Sequence, residues 1–247
     1  ELRVAYNQLT SLEGLMGLSA LEVLDVGHNQ LKAVLPDNMK GLSKLDSLDL
    51  SGNQLSSLSF LASGPGRGPV LSNLASLDVS GNVLTAASLR GLPPMAQLTE
   101  LNLRGNRIEA VSESLCSCFP SLEILDLSKN LLDNPKEVEK LKGLTTLKEL
   151  TVQGNPMDEL KEELTEVLAI LSPLEYVDNR PVTPAALKLE DGSVEEDQTF
   201  RLTNAPGAFG AIVARPDTAS SRPGTASRPG TSSGRPGTSS GRPGTAQ

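Results

Sequence analysis

Apolar residues in this chain recur in a fixed short sentence. Leu98-Thr99-Glu100-Leu101-Asn102-Leu103-Arg104-Gly105-Asn106-Arg107-Ile108 reads L-x-x-L-x-L-x-x-N-x-I. Leu101 and Leu103 stand two apart, so a short strand here turns both to one side. Asn106 follows at a turn, where its amide serves backbone groups that no strand partner reaches. Ile108 then returns to the core.

The sentence repeats as LEVLDVGHNQL (Leu21 to Leu31), LDSLDLSGNQL (Leu45 to Leu55), LASLDVSGNVL (Leu74 to Leu84), LEILDLSKNLL (Leu122 to Leu132) and LKELTVQGNPM (Leu147 to Met157). A truncated copy, Leu2 to Leu9, opens the chain. Asn7, Asn29, Asn53, Asn82, Asn106, Asn130 and Asn155 step by 22, 24, 29, 24, 24 and 25 residues. A period held this long is the signature of a stacked repeat, and this one resembles the leucine-rich repeat. The resemblance implies an α/β solenoid with a parallel concave sheet inside the curve and loops or short helices outside. Because the first copy lacks its beginning, further repeats or a cap are expected upstream.

Between the strands, Val34 to Leu42 reads as a loose turn or short helix. The long third step is due to Ser63-Gly64-Pro65-Gly66-Arg67-Gly68-Pro69, whose glycines and prolines exclude helix and strand and leave a surface loop. It reads as a tolerated insertion, with a partner contact through Arg67 as the sharper alternative. Asn134 fits a helix N-cap and Pro135 the first helical position. Leu160, Leu164, Val167, Leu168 and Leu171 keep helical spacing up to Pro173. A strand-like half repeat, Leu174 to Asp178, then precedes Asn179-Arg180-Pro181-Val182-Thr183. Asn-Pro, an amphipathic helix, P-L-E-x-V-D and a closing Val-Thr resemble the C-terminal cap of intracellular leucine-rich-repeat proteins. That group includes the repeat regulator of protein phosphatase 1, axonemal dynein light chain 1 and the spliceosomal A-prime protein. The expected domains are a capped repeat domain over 1–184 and a low-complexity tail over 185–247.

Composition sharpens this picture. Aromatics are 2 % of the 247 residues with no Trp, so the core is expected to be aliphatic. Net charge is −8, but residues 198–247 carry six Arg and one Asp, which leaves −13 on residues 1–197. An acidic body argues against nucleic acid as its partner. The tail repeats Arg-Pro-Gly-Thr from Arg222, Arg228, Arg235 and Arg242. It has too few apolar groups to offset ordering entropy and is expected to be disordered alone. Spaced arginines without aromatics suit an acidic protein surface better than nucleic acid. The alternative is a solvated linker, and Arg-x-x-Thr also fits a basophilic kinase site.

There is no apolar run long enough to span a membrane and no visible signal peptide. None of the thirteen Asn lies in N-x-Ser/Thr, and the two Cys, Cys116 and Cys118, suit no stapling disulfide. These features favour a cytoplasmic protein. The cysteines read as small side chains at the core rather than metal ligands, since the only His is His28. The chain shows no nucleophile motif, phosphate loop, or zinc or calcium spacing, so no catalytic residue, cofactor, metal or small-molecule substrate is expected.

The functional surface is therefore expected on the concave sheet. The residues interleaved with the core leucines are Val23, Asp25 and Gly27; Ser47, Asp49 and Ser51; Ser76, Asp78 and Ser80; Glu100, Asn102 and Arg104; Ile124, Asp126 and Ser128; Glu149, Thr151 and Gln153. Asp25, Asp49, Asp78 and Asp126 make a column interrupted by Asn102. Two readings of that column stand: an acidic stripe that attracts basic partner segments, or carboxylates that serve neighbouring strand and loop groups. The resemblance implies a protein-binding scaffold, with cytoskeletal partners such as tubulin or axonemal components, or alternatively a regulatory subunit of a phosphatase or other enzyme.

Overall fold

The computed structural model describes residues 1–62, 69–171 and 174–182. Nine strands form one sheet in sequence order. They are β1 (Leu2–Arg3), β2 (Val23–Asp25), β3 (Ser47–Asp49), β4 (Ser76–Asp78), β5 (Glu100–Asn102), β6 (Ile124–Asp126), β7 (Glu149–Thr151), β8 (Tyr176–Val177) and β9 (Arg180–Pro181). Each of the first eight lies parallel to the next, and β9 folds back antiparallel on β8. The register pairs Leu24, Leu48, Leu77, Leu101, Leu125 and Leu150 in one line. These leucines, and Val26, Leu50, Val79, Leu103, Leu127 and Val152 two residues on, are buried. Each leucine so removed from water contributes about 1.5–3 kcal/mol, and it does so only against the rungs beside it.

The return segments are short. They include one-turn helices α1 (Pro36–Met39), α2 (Leu115–Cys118) and α3 (Lys136–Glu139), and 3-10 turns at Ser59–Leu61 and Ala86–Leu89. The aliphatic core has two exceptions: Phe60 and Phe119 are fully buried on this side. Helix α3 starts one residue later than expected, with Pro135 at the N-cap position, and Asn134 Oδ1 accepts the Lys136 N–H at 2.9 Å from just before it. The Gly/Pro insertion is pinched at its base, where Ala62 bridges Pro69 and the Val70 N–H donates to the Leu61 carbonyl at 3.0 Å. The β3–β4 register is undisturbed by it. Arg67 and the rest of that loop lie outside the described residues.

Both cysteines edge the core: Cys118 is buried, and the partly buried Cys116 packs against it. Their Sγ atoms face the Leu92 and Lys140 carbonyls at 3.3 Å each, and burial raises both thiol pKa values.

After β7, helix α4 (Lys161–Ile170) covers the end of the stack with Val167, Leu168 and, just beyond it, Leu171. Leu160, expected on that apolar face, is instead 41 % exposed, because it sits at the helix entrance before the packing turn begins. Tyr176–Val177 then adds to the sheet. Asp178 and Asn179 both take left-handed φ, 50° and 63°, which makes a two-residue hairpin turn into β9. Pro181 in this last strand has no N–H to offer, which blunts the edge.

Candidate protein-binding face

Three columns run across the sheet on the side away from the leucines. The first is Val23, Ser47, Ser76, Glu100, Ile124, Glu149 and Tyr176. Arg3, Asp25, Asp49, Asp78, Asn102, Asp126 and Thr151 form the second. Beyond the strands, Gly27, Ser51, Ser80, Arg104, Ser128 and Gln153 continue the ladder as a third, through backbone bonds such as His28 N–H to the Ser51 carbonyl at 2.7 Å. The structure thus brings every expected face residue into one register. The tail arginines Arg222, Arg228, Arg235 and Arg242 lie outside the described residues.

The second column does structural work. Asp25, Asp49, Asp78, Asn102 and Asp126 each accept, on Oδ1, the N–H two residues ahead, at 2.8–3.1 Å. The residue after each strand thereby finds an acceptor while the chain begins to turn. Asp78 also accepts from a neighbouring rung through Oδ2, from Asn102 Nδ2 at 2.9 Å. The face is also more enclosed than its polarity suggests: Ser47, Asp78 and Asn102 are buried, and Asp25, Asp49 and Asp126 half-buried. Burial pushes the Asp78 carboxyl up to about 6, helped by the Asp49 charge and opposed by the Ser80 hydrogen bonds.

The third column carries a cation. The Arg104 guanidinium donates to Ser128 Oγ at 3.2 Å. In the first column, Ser76 Oγ donates to Glu100 Oε2 at 3.1 Å. Ser47 Oγ, by contrast, is buried with no hydrogen-bond partner among the described residues.

Behind the face runs the asparagine ladder. Asn53 Oδ1 accepts the Leu31 N–H at 3.0 Å, and its Nδ2 donates to the Val26 and Leu50 carbonyls at 3.1 and 3.0 Å. Asn29, Asn82, Asn106, Asn130 and Asn155 repeat this pattern, each tying its own rung to the one before. The residue before every one of these asparagines, and before Asn7, has left-handed φ: Tyr6, His28, Gly52, Gly81, Gly105, Lys129 and Gly154. Tyr6 and His28 stack there, ring centroids 4.4 Å apart and 10° from parallel. Sequence reading missed this second function of the turn, although the residue preceding each Asn was in plain view.

Among the described residues, no group of three or more His, Cys, Asp or Glu is placed to hold a metal ion, and no helix is long and apolar enough to cross a membrane.

Comparison with known proteins agrees with this architecture. The family model described as "Leucine rich repeat" matches residues 1–55 and 96–157. Leucine-rich repeat-containing protein 23 of Xenopus tropicalis is 33 % identical over 90 residues, 36 % of this chain and 25 % of that protein. The Bos taurus protein of the same name is 32 % identical over 90 residues, 36 % of this chain and 26 % of that one. The chain thus matches about a quarter of the length of these relatives. Among solved structures, an internalin (inlF) from Listeria monocytogenes aligns with TM-score 0.52 and 26 % identity, over 70 % of this chain and 45 % of that one. A chain of the octameric complex of Latrophilin 3, Unc5D and the leucine-rich-repeat protein FLRT2 aligns with TM-score 0.55 and 24 % identity, over 69 % and 51 %. A parallel ladder with one asparagine per rung, set beside these matches, gives the chain the fold of a leucine-rich-repeat solenoid.

Proposed function

We propose that this chain is a non-catalytic scaffold that docks partner proteins on its sheet face and anchors, through its tail, on an acidic cytoskeletal surface. The proposed division is a repeat domain with its cap over 1–184 and a low-complexity tail with Arg-Pro-Gly-Thr repeats over 185–247. The observation that carries the scaffold reading is the shared register of the face columns. Side chains on six rungs line up at about 4.8 Å intervals, which gives a partner a continuous strip rather than a pocket. A strip of this kind recognises by summed contacts and needs no reacting group.

The cytoskeletal part rests on charge and on likeness. Residues 198–247 carry a net +5, and four arginine tetrads set six or seven residues apart suit an acidic protein lattice such as tubulin. The cap motif resembles that of axonemal dynein light chain 1, which supports an axonemal, cytoplasmic location. The test is co-sedimentation of the full chain with microtubules, beside a chain in which Arg222, Arg228, Arg235 and Arg242 are alanine. The intact chain pellets and is released by moderate salt, and the substituted chain stays in solution. Equal pelleting of the two removes the tail's role. An enzyme-regulating subunit would instead retain its partner through the sheet face when residues 186–247 are deleted, so a pull-down with that deletion separates the alternatives.

A further inference from the structure

The carboxylates of the face are not equivalent. Asp25, Asp49, Asp78 and Asp126 each commit Oδ1 to a backbone N–H, and Glu100 accepts Ser76 Oγ on Oε2. Glu149 differs. Leu150 beside it is buried, so Glu149 stands on the face, where it is half-buried. Its carboxylate takes no hydrogen bond and no ion pair among the described residues. Lys148, just before it in the chain, is engaged by Glu123 at 2.7 Å.

The neighbours of Glu149 account for this. Register puts Ile124 on one side of it and Tyr176 on the other, each strand about 4.8 Å away. Pro181 pairs with Tyr176 beyond, and Thr151 is the next face residue along β7. None of these side chains is charged, and no Lys or Arg stands on the face of β6, β7 or β8. Tyr176, at 43 % exposure, is the one exposed large apolar side chain among the described face residues. A carboxylate half removed from water, with uncharged neighbours and both oxygens open, is unfavourably placed until a cation reaches it.

We propose, resting on the scaffold reading of this face, that Glu149 and Tyr176 are its anchor point and take an arginine side chain from the partner protein. The guanidinium forks onto both Glu149 oxygens, its plane lies against the Tyr176 ring, and its methylene stem crosses Ile124. No cavity is needed, because the open strip leaves all three side chains within reach of one residue laid across it. Lysine fits less well, since its ammonium is compact, strongly hydrated and without a planar fork. The aspartate column offers no such fork, since one oxygen of each carboxylate is already committed.

The test is an NMR titration of the nitrogen-15-labelled full chain with Nα-acetyl-arginine methylamide, beside the citrulline and lysine counterparts, at low ionic strength. With the arginine compound, amide shifts gather at Ile124, Glu149, Thr151 and Tyr176 and saturate; the lysine compound binds more weakly and the citrulline compound gives none. Glu149→Gln weakens arginine binding about fivefold. Tyr176→Leu keeps the apolar bulk, loses the ring and weakens it about threefold. Glu100→Gln, about 10 Å away across two rungs, changes it less than about twofold. Unmoved amides elsewhere in each variant verify the fold. Loss by Glu100→Gln equal to that by Glu149→Gln, or shifts of equal size along β2–β4, overturns the anchor and leaves the face as an even strip. No shift, or equal shifts with the citrulline or lysine compound, overturns the arginine assignment. The scaffold reading fails on a different result, partner retention in the pull-down that survives Ser76→Arg and Ile124→Arg on this face.

Discussion

Asn102 donates from Nδ2 to Asp78 Oδ2 at 2.9 Å, joining the amide of one rung to the carboxylate of the rung before it. The bond favours ionised Asp78, yet burial outweighs it and lifts the carboxyl from 3.8 to about 6. A folded-state value above the unfolded one means that the folded chain holds a proton the unfolded chain has released. Stability therefore falls as pH rises from about 4 to 6 and stays lower above that range. The size is on the order of 3 kcal/mol. Asp78→Asn keeps an acceptor for the Ser80 N–H and removes the titration. The expected result is a flatter stability profile between pH 4.5 and 7.5 in urea unfolding. The loss of the Asn102 bond shifts the whole curve without changing its slope. Identical slopes in the two proteins would remove burial of Asp78 as the cause.

The asparagine ladder gives a contrast inside one motif. Asn106 is buried, accepts the Leu84 N–H at 3.0 Å and donates to the Val79 and Leu103 carbonyls at 3.0 and 2.9 Å. Asn106→Ala strands these groups away from water, at about 1–3 kcal/mol for each left unserved. Asn7 is exposed and donates only to Val4 and Ala5 of its own turn, so water replaces it and Asn7→Ala changes stability by less than about 1 kcal/mol. Chemical denaturation of both variants checks the difference. Comparable losses would mean that the amide contributes through turn geometry rather than through bonds between rungs.

The ladder itself was legible because each rung spells it out, and seven copies in register outweigh any local ambiguity. What could not be read depends on neighbours. Ser47 and Asp78 look like surface residues in a strand that alternates apolar and polar, and they are buried by the rungs on either side. Tyr6, His28 and Lys129 look like ordinary turn residues, yet each occupies a left-handed position taken by glycine on other rungs. The fold-back of β9 was signalled by Asp178-Asn179, a pair suited to a two-residue turn. The half repeat before it drew the eye instead. Leu160 obeyed helical spacing and still lies exposed, because spacing does not tell which turn is the first to pack.

Gly52 and His28 offer a test of those left-handed positions. A Cβ at Gly52 would fall 2.5 Å from His28 Nδ1, while one at Gly91 would meet nothing within 4 Å. Both glycines have positive φ, 61° and 69°. Gly91→Ala therefore reports only the backbone strain of an L-residue there, about 1–2 kcal/mol. Gly52→Ala adds displacement of the imidazole from its stack on Tyr6. In a His28→Gly background the Gly52→Ala loss should shrink to that of Gly91→Ala, a coupling read directly from a double-mutant cycle. An unchanged loss would show that backbone strain alone governs the turn.

The last rung replaces a missing acceptor. Thr151 stands in the second column where earlier rungs have Asp or Asn, and it makes no such bond to the N–H two residues ahead. Asp178, one residue past Val177 in the rung that pairs with β7, accepts both the Val152 and Gln153 N–H groups on Oδ1, at 2.8 and 3.0 Å. Its own N–H donates to the Leu150 carbonyl at 3.0 Å. Asp178→Ala leaves Val152, which is buried, without an acceptor, and leaves the cap hairpin held to β7 by backbone bonds alone. Amide exchange at Val152 and Gln153 should quicken, while that at Leu77, three rungs away, stays as it was. Asp178→Asn keeps an acceptor and tolerates left-handed φ, as Asn179 beside it does. It also removes a carboxyl that burial holds above its ordinary pKa, whose ionisation above that range opposes folding. The Asn variant should therefore match the parent's exchange at pH 7, and slow exchange at Val152 in the Ala variant would show that the hairpin is held by β8 pairing alone.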